Sequence, residues 1–286
     1  MTGNRIKTVF LMVLVAALFM FVGQVLGGQT GLIIAFILAF GMNFFSYWYS
    51  DKMVLKMYKA KEVTRENAPK FYNMVEEIAV KAGIPIPKVY IIPQMQPNAF
   101  ATGRNPSNAA VACTQGILQS LNEQELRGVI AHEIAHIANK DILTQSVVTT
   151  VVSAITLLAQ FAIFLPFGRS DDGPNPVAII LTLILAPVAA ALLQAAVSQT
   201  REYEADRTAA ELTGNPSGLA SALRRLEAAA HQIPMQVSEY QAKSTSHMFP
   251  VNPFRGRSIS RMFSTHPPTE KRITKLESMS SAGIYS

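Results

Sequence analysis

Four blocks of apolar residues, at 6–26, 31–49, 142–167 and 177–197, constrain this chain more than any other feature of it. Each is close to the ~20 residues that a helix needs to cross a bilayer. A segment in lipid must satisfy all its backbone hydrogen bonds internally, so a spanning block is expected to be helical. The first two blocks are separated only by residues 27–30, which makes them a hairpin with both outer ends on the same side. Arg5 and Lys7 stand at the start of the first block, while Lys52, Lys56, Lys59 and Lys61 follow the second. The connecting turn is uncharged, so the positive-inside rule places both outer ends in the cytoplasm. A cleaved signal peptide is the competing reading of the first block, and the long apolar core with an immediate second span favours a retained anchor.

The third block is diluted by Thr144, Gln145, Ser146, Thr149, Thr150, Ser153, Thr156 and Gln160. It reads either as a span whose polar residues face other helices or as a helix buried within protein. The connector 168–176, GRSDDGPNP, has the Gly, Pro and Asp content of a turn. Four spans account for the composition: charged residues make up 15% of the chain, against about 25% in soluble domains. The net charge of +6 has no nucleic-acid module beside it, so it marks a membrane face rather than a nucleic-acid partner. A single cysteine, Cys113, excludes an internal disulfide.

The remaining parts have the patterns of a soluble domain. An amphipathic helix is expected over 63–82, with Phe71, Val75, Ile78 and Ala79 on one face. The β-branched run 89–92 is expected to be a strand, and 99–101 with 109–113 a small hairpin about a turn at 103–106. Asn122 offers an N-cap with Glu125 three residues on, opening a helix through Asn139. The stretch 231–264 is long and irregular, as functional loops are. The chain therefore divides into a hairpin (1–50), the first part of a catalytic domain (51–141), a second hairpin (142–197) and the rest of that domain (198–286).

The expected helix 123–139 carries His132, Glu133 and His136. At a spacing of four, both imidazoles project from one helix face, a donor pair suited to tetrahedral Zn²⁺. Glu133 stands beside the first ligand, where it can take a proton from a water activated by the metal while zinc polarises a scissile carbonyl. Ionisable groups among Leu126, Val129, Ile130, Ile134 and Ile137 are costly unless paired or bound to metal. A catalytic zinc needs a third protein ligand. Residues 198–210, SQTREYEADRTAA, are the candidate region, with Glu202 and Asp206 on one helix face. Glu202 suits ligation and Asp206 the support of an imidazole N–H. From spacing alone Glu204 competes with Glu202, and salt bridges to Arg201 or Arg207 account for these carboxylates equally well.

HEIAH, a following hydrophobic hairpin and SQTREYEAD together resemble the HtpX-type membrane metallopeptidases, relatives of the CAAX-prenyl proteases. PNAFATGRNPSNAAVACTQGIL, HMFPVNPF and FSTHPPTEKRI match the same pattern, so the resemblance runs from the first span to about residue 276. It implies a mainly helical α+β fold, with a gluzincin-type zinc peptidase domain, a small β-sheet and four transmembrane helices. It also implies Glu202 as third ligand, Asp206 as the aspartate behind the ligands, and Asn98, Ala99, Phe100 and Ala101 along a sheet edge that grips substrate by strand addition. His266 takes the part of a transition-state donor. Gln199 departs from the arginine often found at that point of the family.

The function implied is ATP-independent hydrolysis of misfolded or damaged membrane proteins at the cytoplasmic face of the cell (inner) membrane. Its partners are polypeptide substrates and the lipid bilayer, with no nucleic acid, and its cofactor is one Zn²⁺ per subunit. A CAAX-type processing protease and a non-catalytic membrane scaffold with structural zinc are the alternatives. Glu133 speaks against the scaffold, since a structural site needs no base.

Overall fold

The computed structural model describes residues 2–149, 151–152, 199–232 and 267–281. Helix α1 (Thr2–Met57) is helical throughout, yet it is not straight. The Asn43 amide donates to the Met12 carbonyl at 3.2 Å. Residues that far apart would stand about 46 Å from each other on a straight helix. The chain reverses at Gly28, whose φ of +58° lies in the left-handed region, inside the expected turn. Past the turn the two arms touch at Gly23 and Gly31. A Cβ on Gly23 would stand 2.4 Å from the Gly31 carbonyl oxygen, and one on Gly31 2.1 Å from that of Gly23. Small residues let helices approach this closely where no hydrophobic effect drives them together. Among the described residues, Gly28–Phe45 is the segment long and apolar enough to cross a bilayer, with mean hydropathy 1.6 and 11% of it buried. Met12–Phe21 is a shorter apolar stretch on the other arm.

Four strands form one sheet: β1 (Lys61–Val63), β2 (Lys88–Ile92), β3 (Ala99–Gly103) and β4 (Ala109–Thr114), in spatial order β1-β2-β4-β3. The β2–β4 pair is parallel, and β1–β2 and β3–β4 are antiparallel. The hairpin expected about residues 103–106 is the β3–β4 pair. One expectation needs correction. Helix α2 begins at Pro69 rather than near residue 63, and residues 61–63 pair with β2 instead. Pro69 is pre-set for the first helical position, and Val63 gains a cross-strand partner in Val89.

Strand alternation gives the sheet two different neighbours. Phe100, Ala110 and Ala112 pack with Ile92 against Val54, Leu55 and Tyr58 at the end of α1. The Tyr58 and Phe100 rings lie 5.7 Å apart. Val89, Ala99, Ala101, Val111 and Cys113 face the main core, shared with α2 (Pro69–Lys81) and α4 (Glu123–Ala138). A short α3 (Gln115–Ser120) links β4 to α4.

Helix α4 opens with the expected capping box: Asn122 accepts from the Glu125 N–H and Glu125 accepts from the Asn122 N–H. The helix packs on α6 (Gln199–Thr213) and α7 (Pro216–Gln232), and α8 (Thr269–Ser281) packs on those two, the numbering following α5, residues 142–149. Gly128 allows α4 and α7 to cross closely, since a Cβ there would lie 2.8 Å from the Leu219 nitrogen. Ile130, Ile134, Ala209, Leu223, Ile273 and Leu276 share one core, so chain on both sides of residues 142–197 packs as a unit. The start of the third apolar block is itself buried at Ile142, at 144–149, and at Val151 and Val152. The rest of that block, the connector 168–176, the fourth block and most of 231–264 lie outside the described residues.

Candidate metal centre

The helical spacing on α4 brings the two imidazoles together as the motif predicts. Their Nε2 atoms stand 3.2 Å apart. Helix α6 adds Glu202, with Oε1 3.5 Å from His136 Nε2 and Oε2 3.7 Å from His132 Nε2. All three side chains are buried. Donors bound tetrahedrally at 2.0–2.1 Å are separated from each other by about 3.3 Å. The nitrogen–nitrogen gap, and the gap from each nitrogen to its nearer Glu202 oxygen, are close to that spacing, and two imidazoles with a carboxylate form a donor set that suits zinc. These residues therefore fit a metal ion.

Carboxylates behind the ring nitrogens set the imidazole tautomers. His132 Nδ1 lies 3.0 Å from Asp206 Oδ1, and His136 Nδ1 lies 3.2 Å from Asp141 Oδ2. A ring that donates from Nδ1 presents its Nε2 lone pair forward, as a metal ligand must. Asp206 is held in turn by buried Arg272, through Nε to Oδ2 at 2.8 Å and Nη2 to Oδ1 at 2.6 Å. The same guanidinium reaches Glu202 Oε2 at 3.5 Å, and Arg201 stands 3.6 Å from Asp141. Three buried carboxylates thus face two arginines, which offsets much of the cost of burying them.

The electrostatics follow from burial and these partners. Burial alone would push His136 down, but Asp141, Glu202 and Glu133 outweigh it and raise its pKa to about 9. For His132 burial wins, helped by Arg272 and His136, and its pKa is lowered. Burial also opposes ionisation of Asp206, yet Arg272 overrides it and holds the carboxyl at about 2. Glu133 is buried beside the ligands, with the Ala101 N–H favouring its charged form. Burial, reinforced by Glu202 against the opposing pull of His136, raises its pKa to about 7. A carboxyl poised near neutrality can both accept and return a proton.

The other predicted residues separate. Asn98, Ala99, Phe100 and Ala101 lie at and along β3, which is an outer strand, and all four are buried. The Asn98 side chain accepts from the Ala99 N–H at 3.0 Å, and its Nδ2 has no acceptor among the described residues. Glu204 is exposed and stands apart from the three converging donors. His266 lies outside the described residues.

Asp141 and Arg272 escaped the sequence reading, although each leaves a trace. Asp141 is a charge set directly before apolar Ile142, five residues after His136. Arg272 falls on the stripe Thr269, Arg272, Ile273, Leu276, which is the buried face of α8. A charge on a core stripe implies a buried partner.

Comparison with known proteins agrees with this geometry. Residues 65–280 match peptidase family M48. A protein called Protease HtpX homolog from Methylibium petroleiphilum is 54% identical over 278 residues, covering 96% of this chain and 98% of the relative. One of the same name from Ralstonia pickettii is 51% identical over 284 residues, with 99% of each chain covered. The crystal structure of S. mikatae Ste24p shares the fold with a TM-score of 0.52 at 19% identity, over 96% of this chain and 66% of that one. By family match, by near full-length relatives and by fold, the chain belongs to peptidase family M48 and is a metallopeptidase of the HtpX type.

Proposed function

We propose that this metallopeptidase is a zinc-dependent endopeptidase of the cell inner membrane that cuts misfolded or damaged membrane proteins at the cytoplasmic face. The observation that carries the reading is the convergence of three buried side chains: His132 and His136 Nε2 stand 3.2 Å apart, with Glu202 Oε1 3.5 Å from the second and Oε2 3.7 Å from the first. Zinc held there supplies Lewis-acid polarisation of the peptide carbonyl. Glu133 takes the proton of the attacking water and passes it to the departing amine. Asp206 and Asp141 keep the imidazoles oriented, and Arg272 keeps Asp206 in place. His266 donates to the oxyanion, a role that rests on the resemblance of FSTHPPTEKRI to the family.

The substrate backbone pairs along Asn98, Ala99, Phe100 and Ala101 as an added strand. On this reading residues 1–50 and 142–197 are the two membrane hairpins, and 51–141 with 198–286 the cytoplasmic peptidase domain. Asp141, which touches His136, directly precedes the third apolar block, and Glu202 follows soon after the fourth. Segments leaving the bilayer therefore meet the metal close to its surface. No Gly-x-x-x-x-Gly-Lys-[Ser/Thr] loop occurs in the sequence, so an ATP-driven motor is not expected within it.

The test is Glu133→Ala, purified in detergent, with zinc measured and casein as substrate. Retained zinc with cleavage lost is expected. Cleavage at the wild-type rate would refute the mechanism.

A further inference from the structure

Strand β3 lies at the rim of the sheet, so one row of its backbone groups points away from β4. The hydrogen bonds identify that row. Thr114 N–H donates to the Asn98 carbonyl at 2.9 Å, so position 98 faces β4. With Asn98 opposite Thr114 and Ala99 opposite Cys113, strand periodicity turns 100 and 102 to β4 as well, and 99, 101 and 103 outward. The outward N–H groups are already engaged. Ala99 donates to the Asn98 side chain at 3.0 Å and Gly103 to Ser146 Oγ at 3.3 Å, while the Ala101 N–H acts on the Glu133 carboxylate.

These three contacts differ in what holds the acceptor. The Asn98 side chain comes from β3 itself, and a rotamer change releases it. Glu133 belongs to the catalytic group. Ser146 is different, because it belongs to another element. It sits on α5, fully buried, and also bonds the Thr102 hydroxyl at 2.8 Å. Helix α5 therefore lies across the outer edge of β3 at Gly103. The strand itself also ends there, since Gly103 has φ +140° and a Cβ on it would stand 2.3 Å from the Asn108 carbonyl oxygen.

We propose that Ser146 is the end stop of the peptide-binding edge: substrate pairs with Ala99 and Ala101, and the Ser146–Gly103 contact prevents pairing one register further. The inference rests on the strand-addition reading above. In an antiparallel added strand, the better bonded arrangement per residue, the peptide's N-terminal end lies toward Gly103. Backbone recognition is thus cut short on the N-terminal side of the scissile bond and continues on the C-terminal side. Because α5 begins the third apolar block, the substrate chain beyond the stop leaves the sheet alongside that segment.

Single backbone N-methylation of a peptide that the full-length enzyme cuts at one mapped site is the test. The methyl group deletes one pairing N–H and crowds the edge. In wild type, methylation opposite Ala101 or Ala99 is expected to lower kcat/KM about fivefold or more, the scale of a lost backbone hydrogen bond. Methylation two residues N-terminal of the position opposite Ala101, where Gly103 would pair, is expected to have no effect. In Ser146→Ala the same position is expected to become sensitive. Sensitivity there in wild type would overturn the end stop, and so would an unchanged pattern in Ser146→Ala with only a lowered melting temperature. If no position is sensitive in wild type, strand addition itself fails and the end stop with it, an outcome distinct from the other two. The wild-type pattern decides the matter even if the variant does not fold.

Discussion

Arg272 grips Asp206 through two hydrogen bonds of 2.8 and 2.6 Å, and Asp206 meets His132 Nδ1 at 3.0 Å. A residue of the last described helix thereby fixes the orientation of a ligand on α4. Removing the guanidinium takes away the buried positive charge that faces Asp206 and Glu202. Arg272→Ala should cost about 3–5 kcal/mol of stability. Arg272→Lys keeps the charge but lacks the planar fork, so it should recover part of the stability and less of the metal affinity. Chemical denaturation of the apo and zinc-loaded forms measures both. Wild-type stability in Arg272→Ala would contradict the buried clamp.

Asp141 orients His136 from the other side. Asp141→Asn keeps the shape and loses the charge, and should weaken zinc binding about 10–100-fold. Competition with a chromophoric chelator reads this directly, and an unchanged affinity would show that the 3.2 Å contact has no influence on the ligand.

Much of this centre was legible in the sequence, for a specific reason. His132, Glu133 and His136 sit on one helix, where spacing alone fixes their relative direction. Glu202 and Asp206 share a second helix, yet spacing did not separate Glu202 from Glu204, and family resemblance supplied the choice that the donor geometry favours. Asp141 and Arg272 act across tertiary contacts between α4, α6 and α8, which no local period encodes. The strand at 61–63 was hidden in the same way, because its pairing with residues 89–91 depends on a partner more than twenty residues away. Pro69, by contrast, was a local signal for the start of α2.

Cys113 lies in the core beside the site. Burial, and then the Glu133 charge, push its thiol well above the ordinary range. A free thiol in the unfolded chain ionises near pH ~8.5. The raised native pKa therefore leaves stability unaffected below that value and reduces it as pH rises beyond. Iodoacetamide at pH 9 should leave the native protein unlabelled and label it in denaturing detergent. Rapid native labelling would contradict this burial.

The contact of Gly23 with Gly31 makes the first hairpin sensitive to any side chain there. Gly31→Leu should separate the arms and break the Asn43–Met12 hydrogen bond. A disulfide between cysteines introduced at Met12 and Asn43 should form in the parent sequence and fail with Gly31→Leu. Equal cross-linking in both would contradict the close approach.

Zinc stoichiometry in three purified proteins tests the central claim most directly. Wild type and Glu204→Ala should each bind one zinc per chain, and Glu202→Ala should lose most of it after dialysis against a mild chelator. Full retention by Glu202→Ala, or loss by Glu204→Ala, would contradict the assignment of His132, His136 and Glu202 as the metal centre.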